Sequence, residues 1–204
     1  MSNIVTSQLC QPAKENDWSN PAVRRIYDQS FPAAEAMPPE MVSSGLQSTK
    51  ENQLHLRVTW MNGEVVCISV HRALTSKITW LVFLATAKHL RSQGIGTEHM
   101  RRLKELIGCQ QGAGSVIVFE IESTHARDLA MLDPADQSSR TARRRFYERL
   151  GAHTYGGHYE MLPFIQGQPI TAAHLMWFGV RRWPMAQAIE LIYHCGLFPS
   201  IPHR

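Results

Sequence analysis

The spacing of apolar residues divides the chain into an early helical region and a later succession of strands and helices. Ile4–Leu9 fits a short first strand. Asp17 and Ser19 offer helix caps, and Pro21 sits near the first turn of a helix through Val23–Gln29. Pro32, Pro38 and Pro39 end that helix and permit a second around Glu40–Gly45, and the polar stretch Ser43–Gln53 reads as a loop. From Leu54 the period changes to that of strands. Leu54–Met61 and Glu64–Arg72 flank Asn62-Gly63, the dipeptide that best supplies the positive φ of a tight hairpin turn. Thr79–Thr86 is an apolar run of the kind found in buried strands.

Gly94–Ile107 then repeats with helical period, placing Ile95, Met100, Leu103 and Leu106/Ile107 along one side, with Gly108 as a stop and Gly112–Ser115 as a turn. Val116–Ile121 is a further buried strand. Ser123–Gln137 reads as a long loop with a short helix through Ala126–Leu132. Ser138 or Ser139 can cap a helix to Leu150, with Ala142, Phe146 and Leu150 on its apolar face and Gly151 closing it. His153–Leu162 and His174–Gly179 read as strands and Pro184–His194 as a final helix. The order predicts an α/β chain built on a mixed sheet.

The length of 204 residues suits one domain over 1–204, and 44% hydrophobic residues suits a core of its own. A formal charge of +4 is mild and fits an anionic ligand better than it argues for nucleic acid. Cys10, Cys67, Cys109 and Cys195 are scattered, with no C-x-x-C pair and no Cys/His spacing of a zinc site, so reduced thiols and no metal are expected. The first residues lack the basic start and apolar core of a signal peptide, and runs such as Trp80–Ala87 are too short to span a bilayer. A cytoplasmic protein without membrane or nucleic-acid partners is expected, and the oligomeric state stays open, a homodimer among the options.

The segment that carries chemistry is Arg91-Ser92-Gln93-Gly94-Ile95-Gly96-Thr97. A buried strand runs into a short loop and then into a helix that starts on glycines. Unpaired N–H groups and the positive end of the helix dipole point outward at such a start, a site suited to a pyrophosphate. The lysine and hydroxyl of a Walker A loop are missing, and a dinucleotide fingerprint needs a glycine where His99 stands. The segment fits R/Q-x-x-G-x-G/A.

That motif resembles the GNAT superfamily, the Gcn5-related N-acetyltransferases. Arg145-Phe146-Tyr147-Glu148-Arg149-Leu150-Gly151-Ala152 is similar to the family's F-Y-E-x-L-G-F segment, and Val118-Phe119-Glu120-Ile121-Glu122 matches the strand between the two. The likeness covers Leu54–Ala152 well; Phe31-Pro32-x-x-Glu35-x-x-Pro38 is a weaker match. The resemblance implies a central, mostly antiparallel sheet of about six or seven strands with a splayed pair of parallel strands. It implies transfer of an acetyl group from acetyl-CoA to a primary amine of a small molecule, peptide or protein. Amides of Gln93, Gly94, Ile95, Gly96 and Thr97 would hold the pyrophosphate, with Arg91 and Ser92 in the same loop. Main-chain groups of Leu84 and Thr86 would pair with the pantetheine arm, and a bulge near them would serve the oxyanion. Glu120 matches a strand glutamate used as general base, with Glu122 as the alternative, and Tyr147 matches a tyrosine that protonates the departing thiolate.

The chain departs from the family where Arg140 and Arg143 replace residues that are often asparagine and alanine, and where Ser123–Gln137 is long. The acceptor therefore does not follow from the resemblance. Two other readings use the same residues: a catalytically silent coenzyme A-binding sensor, and a nucleic-acid binder using Arg143-Arg144-Arg145-Arg149, which lacks a recognised binding module and interleaved aromatics.

Overall fold

The computed structural model describes residues 8–12, 17–31, 36–49, 53–180, 183 and 185–198. Most of Ile4–Leu9, together with Pro32 and Glu35, lies outside the described residues. The strands are β1 (Gln8–Pro12), β2 (His55–Met61), β3 (Glu64–Ala73), β4 (Ile78–Thr86), β5 (Val116–Glu122), β6 (His153–Thr154), β7 (Glu160–Met161) and β8 (Thr171–Phe178). They form one mixed sheet ordered β1-β2-β3-β4-β5-β8-β6, with β7 also paired to β8. The helices are α1 (Pro21–Asp28), α2 (Pro39–Gln47), α3 (Ile95–Gln111), α4 (Ala126–Leu129), α5 (Pro134–Arg149) and α6 (Met185–Tyr193).

The β2–β3 hairpin turns as its sequence requires: Asn62 has φ 52 and Gly63 φ 82, the positive pair of a type I′ turn. All pairings are antiparallel except β4 with β5. That parallel pairing runs from Ile78↔Val116 to Leu81↔Phe119 and stops, although β4 continues to Thr86 and β5 to Glu122. The strands therefore part into a fork just past Leu81 and Phe119. Val70 pairs with Phe83 and His71 with Leu81, so Val82 is an extra residue in β4. The bulge lies there and not at Leu84–Thr86.

Alternation sends the two faces of the fork to two cores. One holds Trp80, Phe83, Val116, Val118 and Leu175 with residues of α1, α2 and α6. The other holds Leu81, Phe119, Ile121 and Phe178 with Met100, Leu103 and Ile107 of α3 and Tyr147 of α5.

Several boundaries differ from the sequence expectation. Helix α2 runs on to Gln47, into the stretch read as loop, and α4 stops at Leu129. Gly108 does not stop α3, since one helical glycine costs only about 1 kcal/mol in a helix that buries five side chains. The helix ends at Gly112, whose φ of 76 breaks the turn. Helix α5 starts earlier than Ser138. Asp133 caps it, its side chain accepting from the amides of Ala135 and Asp136, with Pro134 in the first turn. The face of α5 is also rotated: Ala142 is exposed, Phe146 and Leu150 are half-buried, and Tyr147 is the buried residue, because its ring packs on Phe119 at 4.2 Å. Finally His153–Leu162 is two short pairings interrupted at residues 155–159, where Gly156-Gly157 breaks the alternation.

Candidate active site at the fork

The glycine loop lies at one end of the fork. Gly94, with φ 84, is the N-cap of α3, and Ser92 also takes a left-handed conformation with φ 64. The amide of Glu98 donates to the Gly94 carbonyl at 3.0 Å, so the amides of Ile95, Gly96 and Thr97 are left without a partner in the helix. A Cβ on Gly94 would meet nothing within 4 Å, so this glycine answers to its backbone conformation and to whatever lies outside. A Cβ on Gly96 would meet Thr86 Oγ1 at 3.1 Å and Phe146 at 3.6 Å. Gly96 is thus the meeting point of three segments separated in sequence: the end of β4, the loop and the F-Y helix. Arg91 is exposed and braces this corner. Its Nε donates to the Thr86 carbonyl at 3.2 Å and its Nη2 to the Ser30 hydroxyl at 3.1 Å. Gln93 donates to the His89 carbonyl at 3.4 Å.

From Val82 to Thr86 the edge of β4 that faces β5 has no β5 partner. Leu84 on this stretch is half-buried, touching both the α3/α5 core and a small cluster of Val66, Cys67 and Ile95. This open edge, leading to free amides at a helix start, fits an elongated ligand with an anionic end.

Glu120 is the first β5 residue past the last parallel pair and points to the α6 face with Trp80. The Tyr159 hydroxyl donates to Glu120 Oε1 at 2.6 Å. Burial pushes the carboxyl up to about 7, against the lowering effect of that hydrogen bond and of the nearby Trp80 indole. The indole N–H of Trp80 lies on the carboxyl's side of the fork but is buried without a hydrogen-bond partner among the described residues. Glu120 keeps partial exposure, whereas Trp80 and Tyr159 are buried.

Glu122 is differently placed. It is buried and ion-paired with Arg143 of α5. Burial raises its pKa, but the charges and hydrogen bond of Arg143 outweigh this and hold the carboxyl below its ordinary value. Tyr147 is 7% exposed, among Phe119, Phe146 and Phe178, and burial raises its phenol pKa. Glu120 and Tyr147 therefore approach the fork from opposite faces of the sheet. The 123–133 segment is pinned beside them: the Ser123 hydroxyl donates to Asp128 at 2.5 Å, and the Thr124 amide donates to His174 Nε2 at 2.9 Å. His125 packs on His174 at 4.8 Å.

Tyr159 was not singled out by the sequence; the Gly156-Gly157 pair was the signal that the strand breaks and can turn a side chain inward. His99 is also buried, bridging Thr59 Oγ1 and Ser69 Oγ at 2.8 Å each. Burial lowers its pKa to about 3, so it is a neutral core bridge, sealed from the fork.

No protein-family model matches the chain, and no curated protein matches it in sequence. Solved structures do match in fold. An acetyltransferase of the GNAT family from Bacteroides thetaiotaomicron aligns with a TM-score of 0.67 at 19% identity, over 91% of this chain and 93% of its own. The ribosomal-protein-S18-alanine N-acetyltransferase from Escherichia coli aligns with a TM-score of 0.59 at 15% identity, over 87% and 96%. A Bacillus subtilis acetyltransferase in complex with CoA aligns with a TM-score of 0.55 at 12% identity, over 85% and 99%. The fold is the one that GNAT acetyltransferases have.

Proposed function

We propose that this chain is an acetyl-CoA-dependent N-acetyltransferase that moves an acetyl group to a primary amine. The observation that carries the reading is a coincidence at one fork. An unpaired β4 edge, a glycine-built helix start and a carboxyl poised near neutrality converge where two parallel strands separate. The B. subtilis protein of this fold, described with CoA, supports the choice of donor.

In this reading the amides at the start of α3 hold the pyrophosphate, and the β4 edge from Val82 to Thr86 pairs with the pantetheine arm. Acetyl-CoA supplies the activated thioester. Glu120, from the α6 face, removes a proton from the ammonium form of the acceptor. A base with a pKa near 7 is suited to that task at neutral pH. An unpaired amide of the β4 edge donates to the oxyanion that forms as nitrogen attacks carbon. Tyr147, from the α3/α5 face, gives its proton to the departing thiolate, and the second proton that the nitrogen sheds as the amide forms passes to solvent, from which the phenolate is reprotonated; burial keeps that phenol protonated until then. Glu122 serves as an anchor between β5 and α5 through Arg143.

The test is a screen of primary amines with acetyl-CoA, read as release of free thiol. Amine-dependent release supports the reading. Coenzyme A binding without release from any amine supports a binding domain, and absence of coenzyme A binding removes both.

A further inference from the structure

Glu120 does not stand alone at the fork. We infer that Tyr159 is the positioning residue for the general base, holding the Glu120 carboxylate through its hydroxyl at 2.6 Å, with the buried Trp80 indole N–H nearby and without a hydrogen-bond partner among the described residues. The inference rests on Glu120 being the base, and it adds a residue outside the motifs that point to the reaction.

Three observations carry it. First, the backbone around Tyr159 is strapped to β8 opposite Glu120. The Tyr155 amide donates to the Leu175 carbonyl at 2.9 Å and the Ala173 amide to the Tyr159 carbonyl at 3.1 Å, while Glu120 itself pairs with Leu175. The break at 155–159 between β6 and β7 lets the side chain leave the sheet edge and turn into the core, where Tyr159 is only 3% exposed. Second, the ring is clamped. It stacks on Tyr193 of α6 with centroids 5.8 Å apart, and the Tyr193 hydroxyl donates to the Glu160 carbonyl at 2.6 Å. The phenol cannot swing away from the carboxyl without disturbing α6. Third, the Trp80 N–H is buried without a hydrogen-bond partner, a costly state that an approaching ionised carboxylate relieves. A carboxylate offers about four lone-pair sites, and Tyr159 uses one.

The groups that face Glu120 are donors and weak acids. Tyr159 comes from the segment between β6 and β7, Tyr193 from α6, Cys195 from just beyond α6, and Trp80 from β4. Arg72 of β3 spends its charge on the Cys195 carbonyl, at 2.5 Å, and on the Cys195 thiol. Tyr159 has its own pKa raised, by burial first and then by Glu120, so it remains a donor through the working range. Its hydrogen bond favours the charged carboxylate, and deleting it must raise the pKa of Glu120 further above about 7.

The experiment is a titration of the Glu120 carboxyl by carbon NMR in the full-length protein, assigned with Glu120→Gln, together with the pH dependence of kcat/KM for an amine found active. In Tyr159→Phe the carboxyl midpoint should rise by about one pH unit, the size of one hydrogen bond to a charged group. The acid limb of kcat/KM should rise with it, and the rate at high pH should be largely retained. If Tyr159→Phe does not fold, 3,5-difluorotyrosine placed at 159 keeps the ring and strengthens the donor, and both midpoints should fall. An unmoved midpoint in the variant that folds overturns the positioning role. A kcat/KM limb that persists in Glu120→Gln instead removes Glu120 as the base, whatever Tyr159 does to its midpoint.

Discussion

At the scale of single residues, the fork separates two carboxylates that are two positions apart on one strand. Glu120 is partly desolvated among neutral donors, which pushes its carboxyl up to about 7, whereas Glu122 faces Arg143, which holds it below its ordinary value. This has a consequence for stability. Between the ordinary value of 4.5 and about 7 the folded chain keeps a proton on Glu120 that the unfolded chain has lost. Stability conferred by this residue therefore falls as pH rises through that window, by at most about 1.4 kcal/mol per pH unit. Glu120→Gln cannot ionise, so its stability relative to the parent should grow from pH 5 to pH 8. Urea unfolding at both pH values checks this, and an equal difference at the two would show that Glu120 is not desolvated. The same variant should lower turnover roughly 10²–10⁴-fold. Tyr147 allows a complementary experiment. Its ring is packed against Phe119, but its hydroxyl makes no hydrogen bond among the described residues. Tyr147→Phe should leave the melting temperature nearly unchanged and reduce turnover by roughly 10²-fold or more if the phenol protonates the thiolate. A large loss of stability would instead mark the hydroxyl as structural.

At the scale of elements, α5 is held by polar contacts at its start and along its length. Its N-terminus is closed by the Asp133 side chain, and its middle is clasped to β5 by Arg143 and Glu122. Both matter because Tyr147 rides on this helix. Asp133→Ala should cost about 0.5–2 kcal/mol, the usual worth of an N-cap, measurable as a lower urea midpoint with unchanged slope. Since the exposed Asp133 carboxylate caps backbone amides of α5 and takes no part in the β4 edge or the start of α3, coenzyme A affinity should not change. Helix α3 plays the other part. Its first turn is built on a left-handed Gly94 with open space where a side chain would stand. Gly94→Glu strains the backbone and puts a negative charge where the phosphates would lie.

At the scale of the whole molecule, the order β4-β5-β8 brings the loop after β4, the strand β5 and the segment beyond β6 to one place. Coenzyme A should raise the melting temperature of the parent by mass action, worth about 2.7 kcal/mol at one hundred times its dissociation constant. In Gly94→Glu the shift should vanish; an undiminished shift would place the ligand elsewhere. The local features were legible in the sequence. Asn62-Gly63 specified its turn, the short apolar runs of β4 and β5 specified buried strands, and Gly94 marked a helix start of the kind that can hold an anion, because turn chemistry and apolar patterning act within a few residues. Which ring of Phe146-Tyr147 is buried was not legible, since the rotation of α5 is set by Phe119 and Phe178 across the sheet. Nor was the role of the break at 155–159, which lets Tyr159 reach Glu120 across thirty-nine residues. The sequence alone determined the order of the main elements and the glycine-built start of α3. Only the tertiary structure decided the environment of each carboxylate, because desolvation and hydrogen bonding depend on neighbours that strand order, not sequence proximity, supplies.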